Sequence, residues 1–141
     1  MEAVTKSKAY YTAKTRTTSG RENGTSRSSD GRLNIKLSPP TSKETGTNPE
    51  QLFAAGWSAC YEGAISIAAR RLKVNLIGET TIDAEIDLCV DKGEYYLQAR
   101  INVHIPGLDN DIARKIVDAA HHICPYSKAV HGNILVETNL V

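Results

Sequence analysis

Residues 83–102 read DAEIDLCVDKGEYYLQARIN, and the way this stretch pairs with itself decides the fold. Lys92-Gly93 suits a two-residue hairpin turn, in which positive φ is favoured and glycine adopts it freely. With that turn, Val90 faces Tyr95, Leu88 faces Leu97, Ile86 faces Ala99 and Ala84 faces Ile101. Every one of these pairs is apolar. The other face sets Asp83, Glu85, Asp87 and Cys89 against Asn102, Arg100, Gln98 and Tyr96, with Glu85 opposite Arg100.

Upstream, residues 48–72 read NPEQLFAAGWSACYEGAISIAARRL and open with a helix start. Asn48 is a good N-cap, Pro49 suits the first helical position, and Gln51 stands where a capping-box side chain folds back. Phe53, Trp57, Cys60, Ala64 and Ile67 follow 3–4 spacing, while Ala54, Ala55, Gly56 and Ala59 keep the rest of the circumference small. That pattern predicts a central helix packed on several sides. Downstream, Asp109-Asn110 can cap a second helix with Ile112, Ile116, Val117 and Ala120 buried, ended by Pro125. Ile134 and Val136 alternate in a last strand over Asn133–Asn139.

The first 47 residues differ from the rest. Ten of them are apolar or aromatic (AVILMFWYC), about a fifth, against 40% overall, too few for a core of their own. Lys8–Thr17, with Tyr10-Tyr11 and several threonines, has strand composition, and Leu33, Ile35 and Leu37 alternate up to Pro39-Pro40. Strands without a core need apolar surface from elsewhere. The reading is therefore an α/β (α+β) chain whose N-terminal strands add onto a partner subunit, with a loose N-terminal arm as the alternative.

The chain of 141 residues has room for one domain. Seventeen Lys+Arg against 16 Asp+Glu, with no basic cluster, argue against nucleic acid or a polybasic membrane contact. No apolar run reaches the roughly 20 residues of a membrane span, and the start shows no signal-peptide pattern. Three cysteines do not make a disulfide framework, so the expectation is a cytoplasmic protein in a reducing compartment.

The three thiols differ. Cys89 lies between Asp87 and Asp91, an acidic setting unsuited to a reactive thiol. Cys60 sits midway along the central helix, where a buried thiol is ordinarily inert core. Cys124 ends the second helix at the negative end of its dipole, a poor place for an attacking thiol and an acceptable one for a resolving thiol. If the two act together, Cys60 attacks, Cys124 resolves, and Cys60 has to borrow a cation to ionise. His121, His122, Cys124 and His131 are close in sequence but lack a second ligand cluster with zinc spacing, so no metal is expected. Ser58 has no nucleophile-elbow glycines around it and reads as a small packing residue.

The run Asn48-Pro49-Glu50-Gln51-Leu52-Phe53-Ala54-Ala55-Gly56-Trp57-Ser58-Ala59-Cys60, with Cys124-Pro125-Tyr126-Ser127-Lys128 and Gly132-Asn133, resembles the organic hydroperoxide resistance proteins. These belong to the osmotically-inducible-protein-C superfamily of thiol peroxidases. The resemblance covers nearly the whole chain. It implies a single thiol peroxidase domain over residues 1–141 in a swapped homodimer, with antiparallel sheets wrapped around two central helices and residues 1–47 exchanged. It implies that Cys60 is peroxidatic, that Cys124 resolves it through a Cys60–Cys124 disulfide, and that no metal, flavin or haem takes part. The family's Arg in a Gly-Arg-acidic stretch matches Gly20-Arg21-Glu22-Asn23-Gly24, so Arg21 is the implied cation, paired with Glu50. About 15 Å of helix axis separates Glu50 from Cys60, a gap that a long Arg side chain can span to touch both. A lipoylated protein or dihydrolipoamide is the implied dithiol reductant and an organic hydroperoxide the implied substrate. Phe53, Trp57, Ile67 and Tyr126 would give such a site apolar walls. Two further readings share the motif: a peroxidase of the osmotically inducible subgroup, and a thiol redox sensor or binding protein that keeps the fold without turnover.

Overall fold

The computed structural model describes residues 4–141, so the first three residues of the expected N-terminal stretch lie outside the described ones. The chain falls into two compact units, Met1–Asn48 and Pro49–Val141.

In the N-terminal unit, β1 (Thr15–Thr18), the single helical turn α1 (Gly20–Asn23), β2 (Thr25–Ser28) and β3 (Asn34–Lys36) follow one another. The strands form an antiparallel sheet in the order β1-β2-β3. The strand expected over Lys8–Thr17 is shorter and starts only at Thr15, with Tyr10 and Tyr11 outside it and exposed. The reason is the partner's length: β2 has four residues, all of which already pair with β1. The alternation at Leu33, Ile35 and Leu37 holds, and Leu37 is the buried apolar side chain of this unit among the described residues. One apolar anchor is a small core, as the composition implied.

The C-terminal unit begins with α2 (Pro49–Arg71), continuous over 23 residues. Its end is a Schellman motif: Val74 N–H donates to the Ala69 carbonyl at 2.8 Å and Lys73 N–H to the Arg70 carbonyl at 3.1 Å. Lys73 takes the left-handed position at φ 57°. Strands β4 (Thr81–Asp91) and β5 (Glu94–His104) pair antiparallel in the register derived above, from Asp83 opposite Asn102 to Val90 opposite Tyr95. Lys92 and Gly93 both have positive φ, 50° and 80°, as the turn requires. On the polar face Arg100 bonds Glu85 at 3.1 Å and forks onto both Asp87 oxygens at 2.8 Å, which holds the Asp87 carboxyl down to about 2.

Helix α3 (Asn110–Ile123) is capped by Asp109, whose carboxylate accepts from the Ile112 N–H at 3.0 Å. Its buried side is Ala113, Ile116, Val117 and Ala120; Ile112, expected to be buried, is exposed, because Ala113 stands at the centre of the stripe. Pro125 ends α3 and also starts α4 (Pro125–Val130), a helix that the sequence reading did not anticipate. Last comes β6 (Val136–Leu140), three residues later than the expected Asn133 start.

Helices α2 and α3 pack with the apolar face of the sheet β4-β5-β6, joining Tyr61, Ile65, Ala68, Ile116 and Val117 to Ala99, Ile101 and Val103. The mixed α/β fold expected from the sequence is the observed one. Two details differ. Strand β6 runs parallel to β5, so this sheet is not wholly antiparallel: α3 and α4 carry the chain back to the starting end of β5 before it pairs. Helix α2 is buried on one face, with Ala55 and Ala59 exposed, rather than packed all round within the chain. The apolar sheet face also outruns its cover, leaving Leu88, Val90 and Tyr95 at 45%, 62% and 74% exposure.

Replacing the α3 cap, Asp109→Ala, should cost about 1 kcal/mol and lower Tm by roughly 4 °C, with Asp109→Asn near wild type. Thermal unfolding checks it; equal Tm values for Ala and Asn would show that the cap bond contributes nothing.

Candidate active site

Cys60 lies on α2 at the edge of the buried stripe, half-buried, and Cys124 is fully buried at the junction of α3 and α4. Their sulfurs are 3.4 Å apart, with the Cys124 thiol donating to Cys60. Pro125 explains the placement. The residue before a proline is driven out of the helical region, and Cys124 accordingly has φ −65° and ψ 120° between two helices. That single extended residue breaks the helical path. Its N–H still closes α3 onto the Ala120 carbonyl at 2.9 Å, while its carbonyl accepts from Lys128 at 3.0 Å.

Burial pushes the Cys60 thiol above its ordinary value, and the adjacent Cys124 adds to the rise; the Tyr126 backbone N–H, directed at the Cys60 sulfur, works against it. This thiol needs further positive charge to ionise near neutral pH.

The expected pocket residues divide. Phe53 meets Trp57 edge-on at 5.6 Å and Tyr126 at 6.0 Å, so these three form one aromatic cluster beside the cysteines. Tyr126 lies across Gly56: a Cβ there would come within 2.8 Å of the phenol oxygen. Ile67 is not part of the cluster. It stands two turns beyond Cys60, about 10 Å along the axis, half-buried and outside the core cluster.

Arg21 sits in α1 of the N-terminal unit, half-buried. The glycines flanking it have separate tasks. Gly20 adopts φ 64°, while any side chain at Gly24 would strike the Thr18 and Gly20 carbonyl oxygens. The Gly24 N–H closes the turn on the Gly20 carbonyl at 2.9 Å. Glu50 stands in the first turn of α2, half-buried, and the continuity of that helix keeps it about 15 Å from Cys60 along the axis. Cys89 pairs with Tyr96 on the polar side of the hairpin, away from the other two thiols in the strand register.

The histidines belong elsewhere. Among the described residues, no three His, Cys, Asp or Glu side chains gather to hold a metal ion. His121 instead joins a chain of polar contacts that sequence reasoning missed. Trp57 Nε1–H donates to Ser127 Oγ at 3.0 Å, Ser127 Oγ meets His121 Nδ1 at 2.9 Å, and His121 Nε2 meets Thr138 Oγ1 at 2.8 Å. The ring also stacks on Tyr61 at 4.4 Å, and Tyr61 donates to the Val117 carbonyl at 2.8 Å. The indole can only donate, so the one hydroxyl proton of Ser127 is best placed on Nδ1, leaving the imidazole neutral with its proton on Nε2. No periodicity marks this chain, because its members come from α2, α3, α4 and β6. A cleft of about 820 Å³ adjoins this chain, lined by His121, Lys128, His131 and Thr138 among others; neither Cys60 nor Cys124 lines it. No helix among the described residues is long and apolar enough to cross a membrane.

Known proteins share this fold. The family model described as OsmC-like protein matches residues 41–139. The organic hydroperoxide resistance protein of Xanthomonas axonopodis pv. citri is 42% identical over 137 residues, 94% of this chain and 96% of that one. Organic hydroperoxide resistance protein OhrB of Bacillus subtilis is 39% identical over 137 residues, covering 94% and 98%. The crystal structure of that OhrB superposes with a TM-score of 0.88, at 37% identity, over 94% of this chain and all of the other. The chain belongs to the organic hydroperoxide resistance family of OsmC-like proteins.

Burial lowers the His121 pKa; Asp118 opposes this and His122 reinforces it. The folded protein therefore holds fewer protons on His121 than the unfolded chain. The resulting stability is complete above the unfolded value of about 6.5 and is lost as pH falls below it. Between pH 7.5 and 5.5, Tm of wild type should fall more steeply than Tm of His121→Asn, measured by thermal unfolding across pH. Parallel curves would remove His121 from the acid sensitivity.

Proposed function

We propose that this protein is a cysteine-based peroxidase that reduces organic hydroperoxides to alcohols. The observation that carries the proposal is the 3.4 Å approach of a half-buried and a buried thiol drawn from helices far apart in sequence. Near relatives named for organic hydroperoxide resistance support it.

In this reading the Cys60 thiolate attacks the distal peroxide oxygen. The O–O bond breaks, the alkoxide takes a proton and leaves as the alcohol, and Cys60 becomes a sulfenic acid. The Cys124 thiol then attacks the Cys60 sulfur, water leaves, and the Cys60–Cys124 disulfide forms. An external dithiol, dihydrolipoamide or a lipoylated protein, restores both thiols and is itself oxidised to a disulfide. The partly exposed Phe53 and Tyr126 rings, backed by the buried Trp57, would receive the alkyl group. Burial alone disfavours the thiolate, so the scheme requires a cation, and Arg21, oriented by Glu50, is assigned that task. The working unit is assigned as a homodimer with exchanged N-terminal units. The uncovered apolar strip at Leu88, Val90 and Tyr95 and the sparse core of residues 4–48 both favour an added subunit.

One equivalent of an alkyl hydroperoxide should remove about two mass units from the protein and link Cys60 to Cys124, leaving Cys89 open to alkylation. Cys60→Ser should abolish consumption of peroxide; Cys124→Ser should react once and accumulate sulfenic and sulfinic forms. Peptide mapping that places Cys89 in the disulfide would overturn the assignment. Multiple turnovers with a dithiol separate a peroxidase from a sensor, which would stop after one.

The cation has its own test. Arg21→Ala should move the pH profile of Cys60 alkylation to higher pH, and Arg21→Lys should recover part of the shift, since lysine keeps the charge without the planar fork. An unchanged profile would take Arg21 out of the mechanism.

A further inference from the structure

The scheme above leaves a buried polar chain unused. Trp57 and Cys124 are completely buried and Ser127 almost so, and Ser127 is held from two sides: by the Trp57 indole at 3.0 Å and by His121 at 2.9 Å. Ser127 lies in the first turn of α4, three residues after Cys124.

Helix α4 has six residues, too few to be stable by its own hydrogen bonds. Something else has to hold it. Val130 and the Tyr126 ring give it apolar contacts, but Ser127 is its buried residue and carries its side-chain hydrogen bonds to Trp57 and His121, while Pro125, Lys128 and Ala129 are exposed. Two of the groups that reach Cys60 depend on where α4 begins: the Cys124 sulfur at its N-cap and the Tyr126 backbone N–H one residue inside. The disulfide step has to close the sulfur separation from 3.4 Å to the roughly 2.05 Å of an S–S bond, along the line of the departing oxygen. A small displacement of α4 therefore acts directly on that step, where a misplacement of about 1 Å costs up to a hundredfold.

We infer that Ser127 and His121 are positioning residues for disulfide formation: the Trp57–Ser127–His121 chain clamps α4 and thereby aims Cys124 at oxidised Cys60. Thr138 bonds the far nitrogen of the ring and fixes its tilt, and Tyr61 fixes its plane by stacking. Neither Ser127 nor His121 touches the peroxide in this scheme; they act through Cys124. The inference rests on the peroxidase reading, since the clamp has a task only if Cys60 is oxidised and Cys124 resolves it.

Asparagine and glutamine at position 121 separate this role from mere packing. Asn carries its amide near the place of Nδ1 and can still accept from Ser127; Gln reaches the place of Nε2 and keeps only the Thr138 contact. Cys60 is oxidised with one equivalent of alkyl hydroperoxide, and the lifetime of its sulfenic acid is read by dimedone trapping and intact mass. Ser127→Ala and His121→Gln should lengthen that lifetime by about tenfold or more, and His121→Asn should stay close to wild type. Trp57→Phe removes the other anchor without altering Ser127, so the same lengthening is expected there, and it decides the matter should Ser127→Ala fail to fold. An unchanged lifetime in folded variants, or equal slowing by Asn and Gln, would overturn the clamp while leaving the peroxidase reading intact. A wild type that forms no Cys60–Cys124 disulfide would overturn the peroxidase reading, and the clamp with it.

Discussion

The approach of the two sulfurs depends on the constraint that a proline ring imposes on the residue before it. The Pro125 ring disfavours a helical neighbour on its N-terminal side, and Cys124 is extended where α3 would otherwise continue. A continuous helix would rotate the next residues on by about 100° each and carry them away from α2. Breaking it at Cys124 turns one buried side chain toward Cys60 and starts a second helix whose first amides return to the same place. The cysteine, the amide of Tyr126 and the hydroxyl of Ser127 follow from one local restriction.

The energetic setting of Cys60 follows from the same packing. Its half-buried place beside Cys124 and the aromatic cluster limits solvation, which suits an alkyl group and opposes a charge. A site of this kind is quiet unless a cation is brought to it. The N-terminal unit, poor in apolar residues, holds Arg21 within the tight Gly20–Gly24 turn, and the proposed scheme assigns it that charge.

Much of this architecture was legible in the sequence. Strand pairing in the hairpin has period two and a turn of fixed length, so a wrong register would have put polar residues among the apolar ones; the derived register is the observed one at every pair. The start of α2 was legible because Asn48 and Pro49 are local signals for unpaired backbone groups. Parallel pairing of β6, the brevity of β1 and the exposure of Ile112 were not legible. Each depends on which surface lies opposite, and a single strand or helix face does not encode its neighbour.

The candidate site divides along the same line. By itself the sequence determined which thiols differ in kind, and its motif named Cys60, Cys124, Arg21 and Glu50 as candidates, because dipole position, flanking charge and a long specific run are properties of the chain read in one dimension. Only the tertiary structure decided that Cys60 and Cys124 meet at 3.4 Å, that Ile67 stands apart from the aromatic cluster, and that His121 bonds Ser127 and Thr138. The reason is physical: a hydrogen-bond chain assembled from four elements has no period along the sequence. Its members become neighbours only when burial of the apolar faces has brought those elements together.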